Sequence, residues 1–338
     1  MSRVEEVVVI ATGGTISMKE PSQGAGATPS LAGKELVSNL HSLEENRIKI
    51  SIKEYATLPS AYFSIENLWE LAEIVRQMHD EDQRRAFVVT MGTDILEEFV
   101  YFIDLLKPDN AAVVVTGAMR SASQIGYEGE ANLHHAILCA ASPGVAEAGA
   151  LLVMNEEIHG AREVQKTHAT NPATFASPGW GPLGWMVEGK AMFRRIPVNR
   201  RRISGRPPFP NIQLVRCTAG MDTSFIDYCL SADVDGLVVE AFGVGHVSPE
   251  VARSISRAIE GGVAVVVTTR CHTGSALEQT YGFEGSESDL LRRGVTMARG
   301  ITGPKARIKL ILALSGNCGS EKLTELFNAD GMGILDQQ

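Results

Sequence analysis

The stretch Val7-Val8-Val9-Ile10-Ala11-Thr12-Gly13-Gly14-Thr15-Ile16 decides the fold. Its first four residues form an unbroken apolar run, the mark of a parallel strand buried on both faces. The two glycines that follow let the chain turn sharply and bring main-chain N–H groups close to whatever binds at the strand's end. Thr12 and Thr15 flank the turn. A hydroxyl at such an exit has the position of a nucleophile, and Thr15 is the candidate. The rest of the chain must supply what activates it.

Outward from this strand, placed at about residues 5–11, strand and helix signals alternate. Residues 17–33 are rich in Gly, Ser and Pro and poor in apolar side chains, so they read as a mobile loop in the position of a lid. A strand follows near 47–57, and Ser64 caps a helix marked by Ile65, Leu68, Trp69, Ala72 and Val75. Strands at 86–90, 112–116 and 150–154 alternate with helices around Leu96, Phe99, Val100 and Ile103 and over 132–141. The pattern predicts a mainly parallel sheet covered on both faces.

Residues 157–189 change to a Gly/Pro-rich character that suggests ordered irregular chain or a hairpin, and 190–211, with Arg200-Arg201-Arg202 and Pro207-Pro208, reads as a linker. Alternation then resumes, with strands expected at 212–216, 236–240, 263–267 and 308–314 and a helix opened by Ser248-Pro249. The expected fold is α/β in two domains: a larger N-terminal domain over 1–189 and a smaller one over 212–338.

Composition narrows the function. A chain of 338 residues can bury a large core. Its net charge of −9 argues against nucleic acid or an anionic membrane as partner. No apolar run reaches the roughly 18 residues of a membrane span, and the first apolar run is too short for a secretory segment, so the expected location is the cytoplasm. The five cysteines are odd in number and include no CxxC pair, which suggests neither a disulfide framework nor a zinc ribbon. Cys271-His272 has no spaced ligand set beside it, and His134-His135, adjacent on a helix, do not share a face, so both read as ordinary residues rather than metal ligands.

In open parallel sheets, ligands bind at the carboxyl ends of the strands. Here those ends deliver Thr15, then Gly92-Thr93-Asp94, then Gly117-Ala118-Met119-Arg120, and finally a segment holding Arg162 and Lys166. An ordinary capping box would account for Asp94 and Glu97. The catalytic reading joins Thr93, a neutral Lys166 amine and Asp94 in a relay of nucleophile-activating type. A nucleotide-binding reading fails, because Thr12-Gly13-Gly14-Thr15 is not GxGxxG and no P-loop lysine follows.

Taken together the motifs resemble the bacterial-type L-asparaginase/glutaminase amidohydrolases: ATGGTI at 11–16, MGTD at 91–94, GAMR at 117–120, VQKTHATNPATF at 164–175, GPLGW at 181–185, Gly243-Val244-Gly245-His246 and Tyr281-Gly282-Phe283. The resemblance spans essentially the whole chain, in order. It implies Thr15 as the nucleophile of an acyl-enzyme that releases ammonia. It implies Thr93, Lys166 and Asp94 as the relay, with Asp94 also meeting the substrate's α-amino group. Gly14, Gly92 and Ala118 would line the substrate, and main-chain N–H groups near Thr15 and Thr93 would form the oxyanion hole. It further implies no cofactor or metal, and a homotetramer, a dimer of close dimers, with each active site shared between two subunits.

The chain also departs from the family pattern. The loop over 17–33 contains no tyrosine to serve Thr15, and Ala27 stands near its place, which leaves Tyr55 or Tyr62 as substitutes. The usual Ser-Gln substrate clamp aligns with Ser60-Ala61. A familiar asparagine is replaced by His246, which could equally be a structural loop residue, and the acidic partner aligns with Glu278. The implied substrate is L-asparagine, with L-glutamine second. Another small amide, lactam or imide is an alternative, as is a non-catalytic amino-acid sensor. The joint presence of Thr15, Thr93, Asp94 and Lys166 favours catalysis, since binding alone needs no hydroxyl relay.

Overall fold

A computed structural model describes residues 4–21, 26–31, 33–38, 48–197 and 202–328. The chain forms two compact units, Met1–Arg200 and Arg201–Gln338.

In the first unit, β1 (Glu6–Gly13) is buried along its whole length. A short antiparallel pair follows, β2 (Met18–Lys19) with β3 (Thr28–Pro29), then α1 (Gly33–Ser38) and β4 (Lys49–Leu58). Part of the expected lid is therefore a small ladder. It is tied to a later loop, because Ala122 N donates to the Met18 carbonyl at 3.0 Å and Glu20 N to Ser123 Oγ at 2.9 Å. Residues 22–25 and 32 of that loop lie outside the described residues.

The alternation continues through α2 (Ile65–Glu81), β5 (Arg85–Thr90), α3 (Leu96–Leu106), β6 (Val113–Thr116), α4 (Gly129–Ala140) and β7 (Ala150–Met154). Strands β4, β1, β5, β6 and β7 are all parallel. Next come β8 (Glu157–Gly160), β9 (Gln165–Lys166), β10 (Phe175–Ala176), β11 (Gly184–Val187) and β12 (Lys190–Phe193). Of these, β8, β11 and β12 extend the sheet with antiparallel neighbours, giving the order β12-β11-β8-β7-β6-β5-β1-β4. The region read as ordered irregular chain or a hairpin thus completes the sheet's edge with antiparallel pairs, and β12 occupies the start of the stretch read as linker. Residues 198–201 lie outside the described residues.

Strand alternation divides the core between two faces. Val7, Val9, Val88 and Val114 pack with Leu133, Ala136 and Ile137 of α4. Phe87 points the other way and meets His79 of α2 edge-on, with ring centroids 6.5 Å apart. The α2 start is a full capping box, in which Ser64 Oγ accepts from Asn67 N and the Asn67 side chain accepts from Ser64 N. Beyond α3 the Lys107 side chain is wholly buried, and its Nζ donates to the carbonyls of Ala111 at 2.7 Å, Pro108 at 3.0 Å and Ala146 at 3.2 Å. A buried ammonium is tolerated only with such partners.

The second unit runs β13 (Ile212–Arg216), α5 (Ser224–Ser231), β14 (Gly236–Ala241), α6 (Pro249–Glu260), β15 (Ala264–Thr269), α7 (Glu287–Arg292), β16 (Thr296–Met297), α8 (Gly303–Ser315) and α9 (Ser320–Asn328). Its sheet, β13-β14-β15-β16, is entirely parallel. Ser248 caps α6 through the Val251 N–H, with proline in the first turn. The strand expected at 308–314 is a helix, α8, and the fourth strand is the two-residue β16. From Ile308 to Ala313 every position of helix α8 is buried, Lys309 included, so the run has no exposed polar position to show a helical period. Pro304 in its first turn and Gly316 at its C-cap are the punctuation that marks it. The architecture is two α/β domains, the larger built on a mixed sheet and the smaller on a parallel one.

Candidate active site

The end of β1 separates its two threonines. Thr12 is buried, and its hydroxyl donates to the Thr90 carbonyl at 2.6 Å, which commits it to the β1–β5 junction. Thr15 opens a 3-10 turn, Thr15–Ser17, that Ser17 closes by donating from its N–H and its Oγ to the Gly14 carbonyl, at 3.0 and 2.9 Å. The Thr15 side chain is half-buried and makes no hydrogen bond among the described residues.

Gly14 sits at φ +76 and ψ −176, a conformation open essentially to glycine alone. A Cβ there would lie 2.5 Å from the Gly92 Cα, and a Cβ on Gly92 would lie 2.5 Å from Ser60 Oγ. On the far side, a Cβ on Gly117 would meet the Met91 carbonyl at 2.5 Å and Thr93 Cγ2 at 3.5 Å, next to the buried Ala118. The exits of β1, β4, β5 and β6 therefore converge on Gly92-Thr93. Ala61, in the 3-10 turn Ser60–Tyr62, is exposed while Ser60 is buried.

Lys166 completes the group. Its Nζ donates to Thr93 Oγ1 and to Asp94 Oδ1, each at 3.0 Å. It does not arrive as a strand exit, because the antiparallel β8 intervenes after β7 and the chain then returns to β9. Lys166 and Asp94 form an ion pair with unequal exposure, the side chains being 19% and 68% accessible. Asp94 thus keeps carboxylate surface free for a ligand while the lysine is largely enclosed.

The N-cap of helix α3 is Ile95, which offers no side-chain cap, so Asp94 and Glu97 do not form the capping box that their spacing allows. The Glu97 carboxylate instead accepts the main-chain N–H of Lys166.

The tyrosines sort clearly. Tyr55 donates to Glu70 at 2.6 Å, and burial together with that carboxylate pushes its phenol up to about 12. It is committed there and is not a substitute partner for Thr15. Tyr62 is 73% exposed beside Ser60-Ala61. Tyr127, which no motif in the sequence singles out, donates to the Ile16 carbonyl at 2.7 Å, one residue from Thr15. Burial, then the charges of Glu130 and Glu128, raise its phenol pKa. The available signal is its place on the same exit as Gly117-Ala118-Met119-Arg120, where Glu128 also accepts from the N–H groups of Met119 and Arg120.

In the second unit, His246 Nε2 bonds Glu287 Oε2 at 3.0 Å, and Tyr281 and Phe283 meet the imidazole edge-on at 4.8 and 4.9 Å. Glu287 is wholly buried and accepts from Thr280 N at 2.7 Å and Tyr281 N at 2.6 Å. Burial pushes its carboxyl up, but the hydrogen bonds outweigh it and hold the pKa below the usual range. Glu278 pairs with Arg299. The carboxylate on His246 is therefore Glu287, forty-one positions away, a pairing that no local spacing announces.

No group of three or more His, Cys, Asp or Glu side chains able to hold a metal ion occurs among the described residues. Among them too, no helix is long and apolar enough to cross a membrane.

Comparison with known proteins covers both units. The family model "Asparaginase, N-terminal" matches residues 6–199, and "Glutaminase/Asparaginase C-terminal domain" matches 211–327. An L-asparaginase of Bacillus licheniformis is 34% identical over 311 residues, 92% of this chain and 96% of that one. L-asparaginase 2 of Escherichia coli K12 is 31% identical over 334 residues, 95% of this chain and 92% of that one. The crystal structure of a probable cytoplasmic L-asparaginase from Campylobacter jejuni superposes with a TM-score of 0.84 at 26% identity, covering 96% of this chain and 99% of that one.

Proposed function

The chain belongs to the asparaginase/glutaminase family of amidohydrolases, and from that premise we propose that it hydrolyses L-asparagine to L-aspartate and ammonia through an ester on Thr15. The observation that carries the reading is the Thr93–Lys166–Asp94 set, closed by two 3.0 Å hydrogen bonds, next to the Gly14–Gly92 contact that leads directly to Thr15.

In the proposed reaction, Thr15 Oγ adds to the side-chain amide carbon and the C–N bond breaks. The threonine proton ends on the departing amine, which leaves as ammonia. Water then adds to the ester, its proton passing through Thr93 to Lys166 in its neutral amine form, and the acid departs as Thr15 regains its hydrogen. Asp94 meets the α-amino group with its exposed carboxylate, Ser60 meets the α-carboxylate, and Gly14, Gly92 and Ala118 line the substrate. Main-chain N–H groups beside Thr15 and Thr93 hold the developing oxyanion, a donor of this kind being worth about 10²–10³ in rate. No metal or organic cofactor enters these steps.

The proposal extends to a homotetramer of close dimers, in which His246, braced by Glu287, serves a neighbouring subunit's site; the family resemblance of the motifs supports this. Cytoplasmic residence is supported by the likeness to the Campylobacter jejuni protein, itself a probable cytoplasmic L-asparaginase.

The test is ammonia release from L-asparagine, L-glutamine and a panel of lactams and imides, with light scattering for the assembly. L-asparagine should be hydrolysed fastest. Turnover of a lactam or imide alone would replace the substrate, and binding without turnover across the panel would replace the enzyme by a sensor.

A further inference from the structure

Lys166 is held at both ends by one short stretch of chain. Its Nζ donates to Thr93 and Asp94, and its main-chain N–H donates to the Glu97 carboxylate. Thr93, Asp94 and Glu97 all lie at the entry to α3.

β9 has two residues and pairs with β10 in a ladder separate from the eight-stranded sheet. Thr167 N donates to the Thr174 carbonyl at 2.8 Å within that hairpin. Antiparallel strands alternate inward and outward N–H groups, so the Lys166 N–H faces away from β10. The group it meets is Glu97. This carboxylate is itself well seated, since the first turn of a helix favours negative charge. The charged groups against Lys166 are thus Asp94 and Glu97, both from the α3 side, while the paired strand contributes Phe175 and Ala176.

We propose that Glu97 is a positioning residue, a clamp on the Lys166 main chain that lets Nζ reach Thr93 and Asp94 together. The inference rests on the relay role given to Lys166 above. A lysine ammonium rides on a long flexible stem, so its placement depends on where the Cα is held. A displacement of about 1 Å in such a group can cost about 10²-fold in rate.

The test compares Glu97→Ala, Glu97→Gln and Glu97→Asp with Lys166→Met, reading ammonia release from L-asparagine and the thermal midpoint of each. Glu97→Ala should lower kcat about 10²-fold and leave KM within about twofold, since the interaction serves the transition state rather than binding. Glu97→Gln keeps an acceptor of weaker, uncharged type and should stay within about tenfold of the parent. If the alanine variant does not fold, the other two decide: Asp is too short to reach and should lose kcat where Gln keeps it. Parental kcat in Glu97→Ala, a loss confined to KM, or a Gln variant no better than Ala or Asp would overturn the clamp. Lys166→Met separates the two levels. Parental activity there overturns the relay itself, whereas an inactive Lys166→Met beside a fully active Glu97→Ala overturns only the clamp.

Discussion

Gly14 and Gly92 touch through their backbones, since a Cβ on Gly14 would stand 2.5 Å from the Gly92 Cα. Each glycine immediately precedes a hydroxyl residue of the proposed site, Thr15 and Thr93. The contact therefore sets the distance between the turn of the proposed nucleophile and the proposed relay. Gly14→Ala is expected to lose activity and to be destabilised by at least about 1–3 kcal/mol, the usual cost of forcing a side chain into this conformation. Urea unfolding with a parental midpoint would contradict this.

The two threonines of the turn should respond in opposite ways. Thr12→Val removes a buried hydrogen bond to the Thr90 carbonyl and should cost about 1–2 kcal/mol of stability while leaving most of kcat. Thr15→Val should leave the thermal midpoint near the parent's and abolish ammonia release. An active Thr15→Val variant would remove the nucleophile assignment.

Thr93 and Lys166 should behave as one unit. Thr93→Val and Lys166→Met are each expected to lower kcat by about 10²–10⁴, the range of general acid–base groups. The double variant should be no slower than the worse single variant. Losses that multiply in a double-mutant cycle would mean that the 3.0 Å bond between them is not part of the mechanism.

Glu287 gives a pH signature. Its carboxyl titrates lower in the folded chain than in the unfolded one. Its contribution is therefore complete above the ordinary carboxylate pKa of about 4.3 and is lost as pH falls through that value toward the native one. Glu287→Gln should be less stable than the parent at neutral pH, and the gap should narrow in acid. Urea midpoints of both proteins at a series of pH values between neutrality and the acid limb would check this; a gap constant in pH would refute it.

Much of the fold is legible because the deciding signals are local. The run at Val7–Ile10 is apolar on both strand faces because both faces are covered, and Ser64 announces its helix through its own hydroxyl. Helix α8 reads as a strand for a related reason: six consecutive buried positions, Ile308 to Ala313, carry no period that distinguishes a helix from a strand. At the site, the strand exits decide which hydroxyls can gather. The residues that stay hidden act across the fold. Glu97 lies three positions after Asp94, where a cap is the simplest reading, yet its carboxylate bonds a residue sixty-nine positions on. Tyr127 reaches Ile16 from a hundred and eleven positions away, and Glu287 reaches His246 from forty-one. Such pairings follow from topology, which no window of sequence contains.

The buried Lys107 has a use outside catalysis. Its amine is enclosed by carbonyls from separate turns of chain, so an acylating reagent can reach it only after the corner between α3 and β7 has opened. Pulsed amine labelling at Lys107 would consequently act as a clock for that opening event, reporting the free energy of a local excursion that neither turnover nor a melting curve resolves.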